Sequence, residues 1–158
     1  MTRDEIIEAT TEAIVASDQL AAHLERLAAR LVGVFPIDSA MLATWGDEPR
    51  ERLHALLRMF EQLYDLSGRK LLRGLLLVAN ESLSGMSAQN QARRVEALGG
   101  LPDADRWLEL GATRNALVHD YPTDPVAQAQ RANRAWKDVP DLIAATRAMM
   151  TYLRTEGL

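Results

Sequence analysis

Polar and ionisable side chains crowd into one short segment of this chain: Arg114, Asn115, His119, Asp120 and Tyr121 fall within eight consecutive positions. Histidine exchanges a proton near neutral pH, as general acid–base catalysis requires. A guanidinium binds a non-bridging phosphate oxygen and stabilises the charge that builds up during transfer. An amide can orient a hydroxyl or a phosphate. Together these groups could cleave RNA, with one group assisting attack of the ribose 2′-hydroxyl and a cation stabilising the phosphorane.

The spacing of these residues predicts how a helix would present them. Asn115 and His119 are four apart and therefore lie one above the other on a helical face. Arg114 and His119 are five apart, which separates them by about 140° around the axis and lets them flank a common edge. Tyr121 directly precedes Pro122, which disfavours helical backbone at the tyrosine and turns its ring away from the helix end.

A structural interpretation of the same segment stays open. At a helix end, Arg114 would pair with a nearby carboxylate, His119 would bond the last carbonyls, and Tyr121 would pack over the terminus. The residues alone do not choose between this capping network and catalysis.

Metal-dependent chemistry has little support in the sequence. The chain contains three histidines, His23, His54 and His119, without an HExxH motif or paired spacing. It contains no cysteine, which excludes thiolate zinc sites, thiol nucleophiles and disulfides. We therefore expect a site without metal, and no cofactor.

Helical periodicity runs through almost the whole chain, and no stretch sustains the alternation of a strand. Six predicted helices occupy about residues 3–33, 38–45, 49–83, 87–99, 101–120 and 125–156. Ser87 and Asp124 are predicted N-caps, and Gly99 a C-terminal signal. The sequence predicts an all-α fold: one helical bundle of four to six helices, two of them long and antiparallel, with residues 1–158 as a single domain.

Small or cyclic residues at three places qualify this pattern. Ser67-Gly68 is expected to bend the third helix, and Pro140 to kink or divide the last one. Gly111, just before Arg114, is expected to loosen the helix that presents the arginine.

Charge is distributed unevenly along the chain. The net charge is −4, yet residues 1–48 carry 3 basic and 9 acidic side chains whereas residues 49–137 carry 13 and 10. A polyanion would therefore meet the middle of the chain, where a cleft could pool Arg114 with other arginines. The candidates are Arg93, Arg94, Arg106, Arg131 and Arg134.

Two further expectations concern the third helix and the location of the protein. Glu61 and Asp65 lie one turn apart, either in surface ion pairs or with one of them steering Arg114 or His119.

The most apolar run, residues 71–79, is far shorter than the ~20 residues that span a bilayer. The amino terminus has no apolar segment like that of a secretory signal. We expect a soluble, cytoplasmic protein without membrane contact.

The motif Arg114-x4-His119-x-Tyr121 resembles the Arg-x4-His-x-Tyr signature of the HepT-like branch of the HEPN superfamily. The string from Leu101-Pro102-Asp103 through Tyr121 is also similar to that family, and the resemblance covers about the last two-thirds of the chain. It implies a HEPN-like helical fold, with Arg114 and His119 as ribonuclease residues and Asn115 as support.

The resemblance also implies partners. Such proteins form homodimers that bring two copies of the motif to a shared cleft. They act as RNA-cleaving toxins of type VII-like pairs, neutralised by a nucleotidyltransferase-fold (MNT) antitoxin. Tyr121 is implied as the acceptor of AMP from that antitoxin.

Three functions are consistent with these features. The first is a metal-independent endoribonuclease toxin. The second is a non-catalytic helical module that binds a nucleotidyltransferase or its substrate. The third is a bundle that only oligomerises.

Overall fold

Helices make up the regular secondary structure in the computed structural model, which describes residues 1–119 and 122–158. They are α1 (Arg3–Arg30), α2 (Ser39–Thr44), α3 (Asp47–Leu66), α4 (Arg73–Val78), α5 (Ala88–Leu98), α6 (Ala104–His119) and α7 (Pro125–Thr155). A π-helical segment, Ser67–Leu72, joins α3 to α4 without a break. The described residues thus form six helical rods and contain no strand. The prediction of an all-α domain with four to six helices is confirmed.

The two long helices α1 and α7 pack together in opposite directions. Near the end of α1, Glu25 accepts two hydrogen bonds from Arg147, and Phe35, farther along the chain, stacks on Trp136 at 4.6 Å. Along the chain from Glu25 to Phe35, just beyond α1, the contact on α7 moves back from Arg147 to Trp136, so the two helices run in opposite directions. The α3–α4 rod is a further long element, and it corresponds to the long helix predicted over about residues 49–83. The largest fully buried side chains come from α1, the α3–α4 rod, α6 and α7: Leu24, Phe60, Leu56, Leu63, Leu71, Leu75, Leu76, Leu110, Leu142, Met149, Met150 and Leu153.

Local capping signals define most helix ends. Ser87 accepts a hydrogen bond from the Asn90 amide at 3.1 Å, and Asp124 accepts from the amides of the first turn of α7. Gly99 ends α5 with a φ of +91°, a left-handed conformation that glycine adopts without strain. The predicted end of the third helix near residue 83 is wrong, because α4 ends at Val78 and is followed by a left-handed residue at position 80.

A π-helical segment begins at Ser67, where the sequence predicted a bend of the helix. The hydroxyl of Ser67 lies 2.8 Å from that of Thr146 on α7, and both side chains are fully buried. Since Thr146 donates its own proton to the Leu142 carbonyl, Ser67 is the donor in this contact. A buried hydroxyl pair thus ties the π segment to α7.

Pro140 does not divide the last helix. α7 runs as one helix from residue 125 to 155, with Pro140 inside it and exposed to solvent. Of the two alternatives, the division into two helices is therefore excluded.

Gly111 has a packing role that its sequence position did not reveal. α6 is helical through Gly111, which is buried against α3. A Cβ atom at this position would collide with the hydroxyl of Tyr64. The glycine therefore admits the Tyr64 ring against α6, and the expected loosening of the helix does not occur.

Gly111→Ala is predicted to lower the free energy of unfolding by about 1–3 kcal/mol through this collision, although alanine is the better helix former. Gly68→Ala is the matched control, because its Cβ would lie 3.5 Å from Trp107, an ordinary contact. Urea unfolding of both variants checks this prediction. Equal stability of the two would contradict the packing role of Gly111.

None of the helices in the described ranges combines the length and apolar character that crossing a membrane would require.

Candidate functional site

Arg114 is fixed on α6 by a carboxylate from α3. Its Nε donates to Oδ1 of Asp65 at 2.7 Å and its Nη2 donates to Oδ2 at 2.9 Å, which is the bidentate geometry of a strong arginine–carboxylate pair. Nη1 donates to the side-chain oxygen of Asn115 at 3.3 Å. Only 16% of the Arg114 side chain is exposed. Of the two roles considered for Asp65, orientation of Arg114 is therefore the one that matches its contacts.

Glu61 takes a different role from Asp65. It accepts a hydrogen bond from Arg58 at 3.0 Å, which is a surface ion pair on α3. The hydrogen bonds that Arg114 donates to Asp65 raise the pKa of Arg114, and the charges of Asp65 and Glu61 raise it further against the opposing effect of burial. Arg114 is thus a permanent cation held in one orientation.

Aromatic side chains form the wall beside this arginine. Tyr64 stacks on Trp107, with ring centroids 4.5 Å apart. Burial raises the pKa of Tyr64, while the nearby Arg114 charge lowers it and Asp65 raises it. We define the Arg114 cavity as the space of about 260 Å³ lined by Tyr64, Asp65, Gly68, Arg69, Leu72, Ala88, Gln91, Trp107, Arg114 and Asn115.

His119 lines a second, larger cavity. We define the α6–α7 groove as the space of about 570 Å³ lined by Thr113, Ala116, His119, Pro122, Ala127, Gln130, Arg131 and Arg134. His119 is exposed at the C-terminal end of α6, opposite two arginines of α7. The ionisable side chains among the described lining residues are one imidazole, of His119, and two guanidinium groups, of Arg131 and Arg134.

The candidate residues are therefore divided between two places. Arg114 and Asn115 lie with Asp65 on the side of α6 that faces α3, whereas His119 faces the groove toward α7. Neither cavity contains both Arg114 and His119. The remaining candidates, Asp120 and Tyr121, lie outside the described residues.

A buried polar network that the sequence interpretation missed connects α6 to α7. Asp138, whose side chain is 8% exposed, accepts from Arg106 at 2.8 Å and from the hydroxyl of Thr113. Arg106 also donates to Asp141 at 2.7 Å and Glu109 at 3.1 Å. The hydrogen bonds to Asp138 and Asp141 raise the pKa of Arg106. No local signal predicts this network, because its contacts join residues 25 and 32 positions apart.

The arginines named for a shared cleft have different surroundings within one chain. Arg106 is engaged with three carboxylates, and Arg94 pairs with Glu81 at 2.6 Å. Arg131 and Arg134 line the α6–α7 groove with His119. The pooling of these arginines with Arg114 in a dimer cleft stays a prediction.

Across residues 1–119 and 122–158, no cluster of three or more histidine and acidic side chains is arranged to bind a metal ion.

Comparison of the chain with protein-family models, curated proteins and solved structures finds no match. The likeness to the HEPN superfamily therefore depends on the residues from Leu101 to Tyr121.

Proposed function

We propose that this protein is a metal-independent endoribonuclease toxin of a type VII-like HEPN/MNT pair, active as a homodimer in the cytoplasm. The observation that carries the proposal is the presentation of Arg114. Asp65 fixes this guanidinium in a small cavity, and five residues later the same helix presents His119 to a groove with two arginines. Both side chains have the residue type and helical spacing that the motif requires.

The proposed reaction is transesterification within RNA. The ribose 2′-oxygen attacks the adjacent phosphorus, the new 2′-O–P bond forms, and the P–O5′ bond breaks. His119 exchanges one proton, either by taking it from the 2′-hydroxyl or by giving one to the leaving 5′-oxygen, and water exchanges the other. Arg114 stabilises the negative charge on the phosphorane oxygens. The products are a 2′,3′-cyclic phosphate and a free 5′-hydroxyl.

A homodimer is part of the proposal because one copy does not place Arg114 and His119 in the same cavity. Since Arg114 and His119 line different cavities of one chain, a phosphate that contacts both needs a shared cleft. In a symmetric dimer, Arg114 of one copy can act with His119 of the other.

The antitoxin in this proposal is a nucleotidyltransferase-fold protein that transfers AMP to Tyr121. The added phosphate places negative charge two residues from His119 in sequence, where it competes with RNA phosphate for nearby cations. Asp120 lies between these residues in sequence and is a supporting residue in this proposal.

His119→Ala is predicted to reduce RNA cleavage by about 10²–10⁴-fold, the usual contribution of a general acid or base. The purified, unmodified dimer is incubated with RNA in EDTA, and the product ends are analysed. His54→Ala is the matched control, because this exposed histidine lies on α3 away from both cavities. We expect cyclic or 3′-phosphate ends from wild type and from the control. Equal cleavage by His119→Ala would contradict the assignment.

A non-catalytic module that binds a nucleotidyltransferase is the second candidate. It is favoured by the bidentate pairing and low exposure of Arg114, which leave little of the guanidinium open to RNA phosphate. This candidate predicts that a well-folded dimer leaves several RNA substrates intact while co-purifying with a nucleotidyltransferase.

A further inference from the structure

Three exposed cations follow one another on the π segment and the first turn of α4. We define the basic strip as Arg69, Lys70 and Arg73. None of the three makes an ion pair with any part of the chain that the structure describes. Unpaired cations on a short stretch of helix produce a local positive potential even though the net charge of the protein is −4.

Other surface arginines contrast with the strip. Arg52, Arg58, Arg94 and Arg147 each pair with a glutamate within 3.0 Å. The cavity beside the strip, of about 250 Å³, is lined by no carboxylate among its described residues: Met1, Ile6, Ala9, Thr10, Arg69, Lys70, Arg73, Gly74 and Leu77. An anion bound there would therefore compete with no internal partner.

Arg69 connects this surface with the candidate site. It lines the cavity beside Lys70 and Arg73, and it also lines the Arg114 cavity. The three cations of the strip thus form a row that borders the Arg114 cavity through Arg69. The π segment that carries Arg69 and Lys70 is a helix distortion that often accompanies functional sites.

A flexible phosphate backbone is the ligand that this row fits. Successive phosphates can contact successive cations, and such contacts read no base sequence. An anionic membrane usually needs clusters of 4–8 basic residues, more than the three here. Membrane binding also does not explain why Arg69 lines the Arg114 cavity.

We propose that the basic strip binds the phosphate backbone of single-stranded RNA outside the cleaved linkage and leads the strand into the Arg114 cavity. The inference rests on the proposed ribonuclease function. It adds a substrate-binding surface that the Arg-x4-His-x-Tyr motif does not include.

The test compares two double variants that each remove two exposed, unpaired cations: Lys70→Gln/Arg73→Gln and, as control, Arg26→Gln/Arg30→Gln on the groove between α1 and α3. Binding of a labelled single-stranded RNA is measured by fluorescence anisotropy at several salt concentrations. Each lost phosphate contact lowers the slope of log affinity against log salt by about 0.7. We expect the strip variant to lose about 1.4 in slope and the control variant to keep the wild-type value.

Cleavage kinetics provide the second measurement. The strip variant should raise KM and retain kcat, because its residues bind substrate away from the reacting phosphate. Wild type that binds RNA through the strip without cleaving it would refute the ribonuclease function but not the binding surface. Equal salt slopes for the two variants, or no RNA binding by wild type, would overturn the inference. Loss of binding to phosphatidylglycerol vesicles with unchanged RNA binding would also overturn it.

Discussion

Asp65→Ala is expected to reduce RNA cleavage about 100-fold while the protein remains folded. The carboxylate of Asp65 fixes the guanidinium of Arg114 through two hydrogen bonds of 2.7 and 2.9 Å. Without it, Arg114 is free to leave the orientation in which it meets the phosphorane, and a displacement of about 1 Å is enough for a loss of this size. The pair is partly exposed, so the expected loss of stability is about 1 kcal/mol or less. Single-turnover cleavage and thermal unfolding measure the two effects separately.

Glu61→Ala is the matched control for this prediction. Glu61 lies one turn before Asp65 on α3, but it pairs with the exposed Arg58 and does not touch Arg114. Its removal should leave cleavage within about twofold of wild type, because its effect on the arginine is only a screened charge. Faster cleavage by Asp65→Ala would show that the carboxylate competes with phosphate for Arg114, which contradicts a positioning role.

The sequence predicted the features that depend on neighbours along the chain. Ser87 and Asp124 cap helices because a side-chain oxygen reaches an amide two or three positions away, whatever the tertiary structure. Gly99 ends a helix because its own backbone adopts a positive φ. Such signals are local, and the helix boundaries that they define are correct within a few residues.

Contacts between distant segments were beyond the same reasoning. Asp65 and Glu61 lie one turn apart with identical charge, and only the packing of α6 on α3 decides that Asp65 meets Arg114, 49 positions away. Gly111 was predicted to loosen its helix, because the Tyr64 ring that packs against this glycine belongs to another helix. A periodic pattern predicts which face is buried but not the partner against which it packs.

The angular separation of Arg114 and His119 was predictable, but its consequence was not. About 140° around a helix is compatible with a common edge or with two separate sides. The neighbours of α6 decide between them, because α3 holds Arg114 whereas α7 forms the groove beside His119. The capping interpretation, in which the arginine pairs with a carboxylate, agrees with the Asp65 contact as well as catalysis does. Only cleavage measurements separate the two.

Asp138→Ala is expected to lower the free energy of unfolding by about 2–3 kcal/mol, or the melting temperature by roughly 4–12 °C. Asp138 is buried, and its loss leaves the Thr113 hydroxyl and one face of Arg106 without their acceptor. Arg106 keeps Asp141 and Glu109, so the loss stays below that of a fully buried ion pair. Asp141→Ala removes a carboxylate from the same arginine at a position that is 55% exposed, and it should lose less than about 1 kcal/mol. Urea unfolding distinguishes the two variants. Similar losses of stability in the two variants would mean that the Arg106 network stabilises the protein through surface charge. The expected difference would identify the Thr113–Asp138 hydrogen bond as the contact that holds α6 against α7.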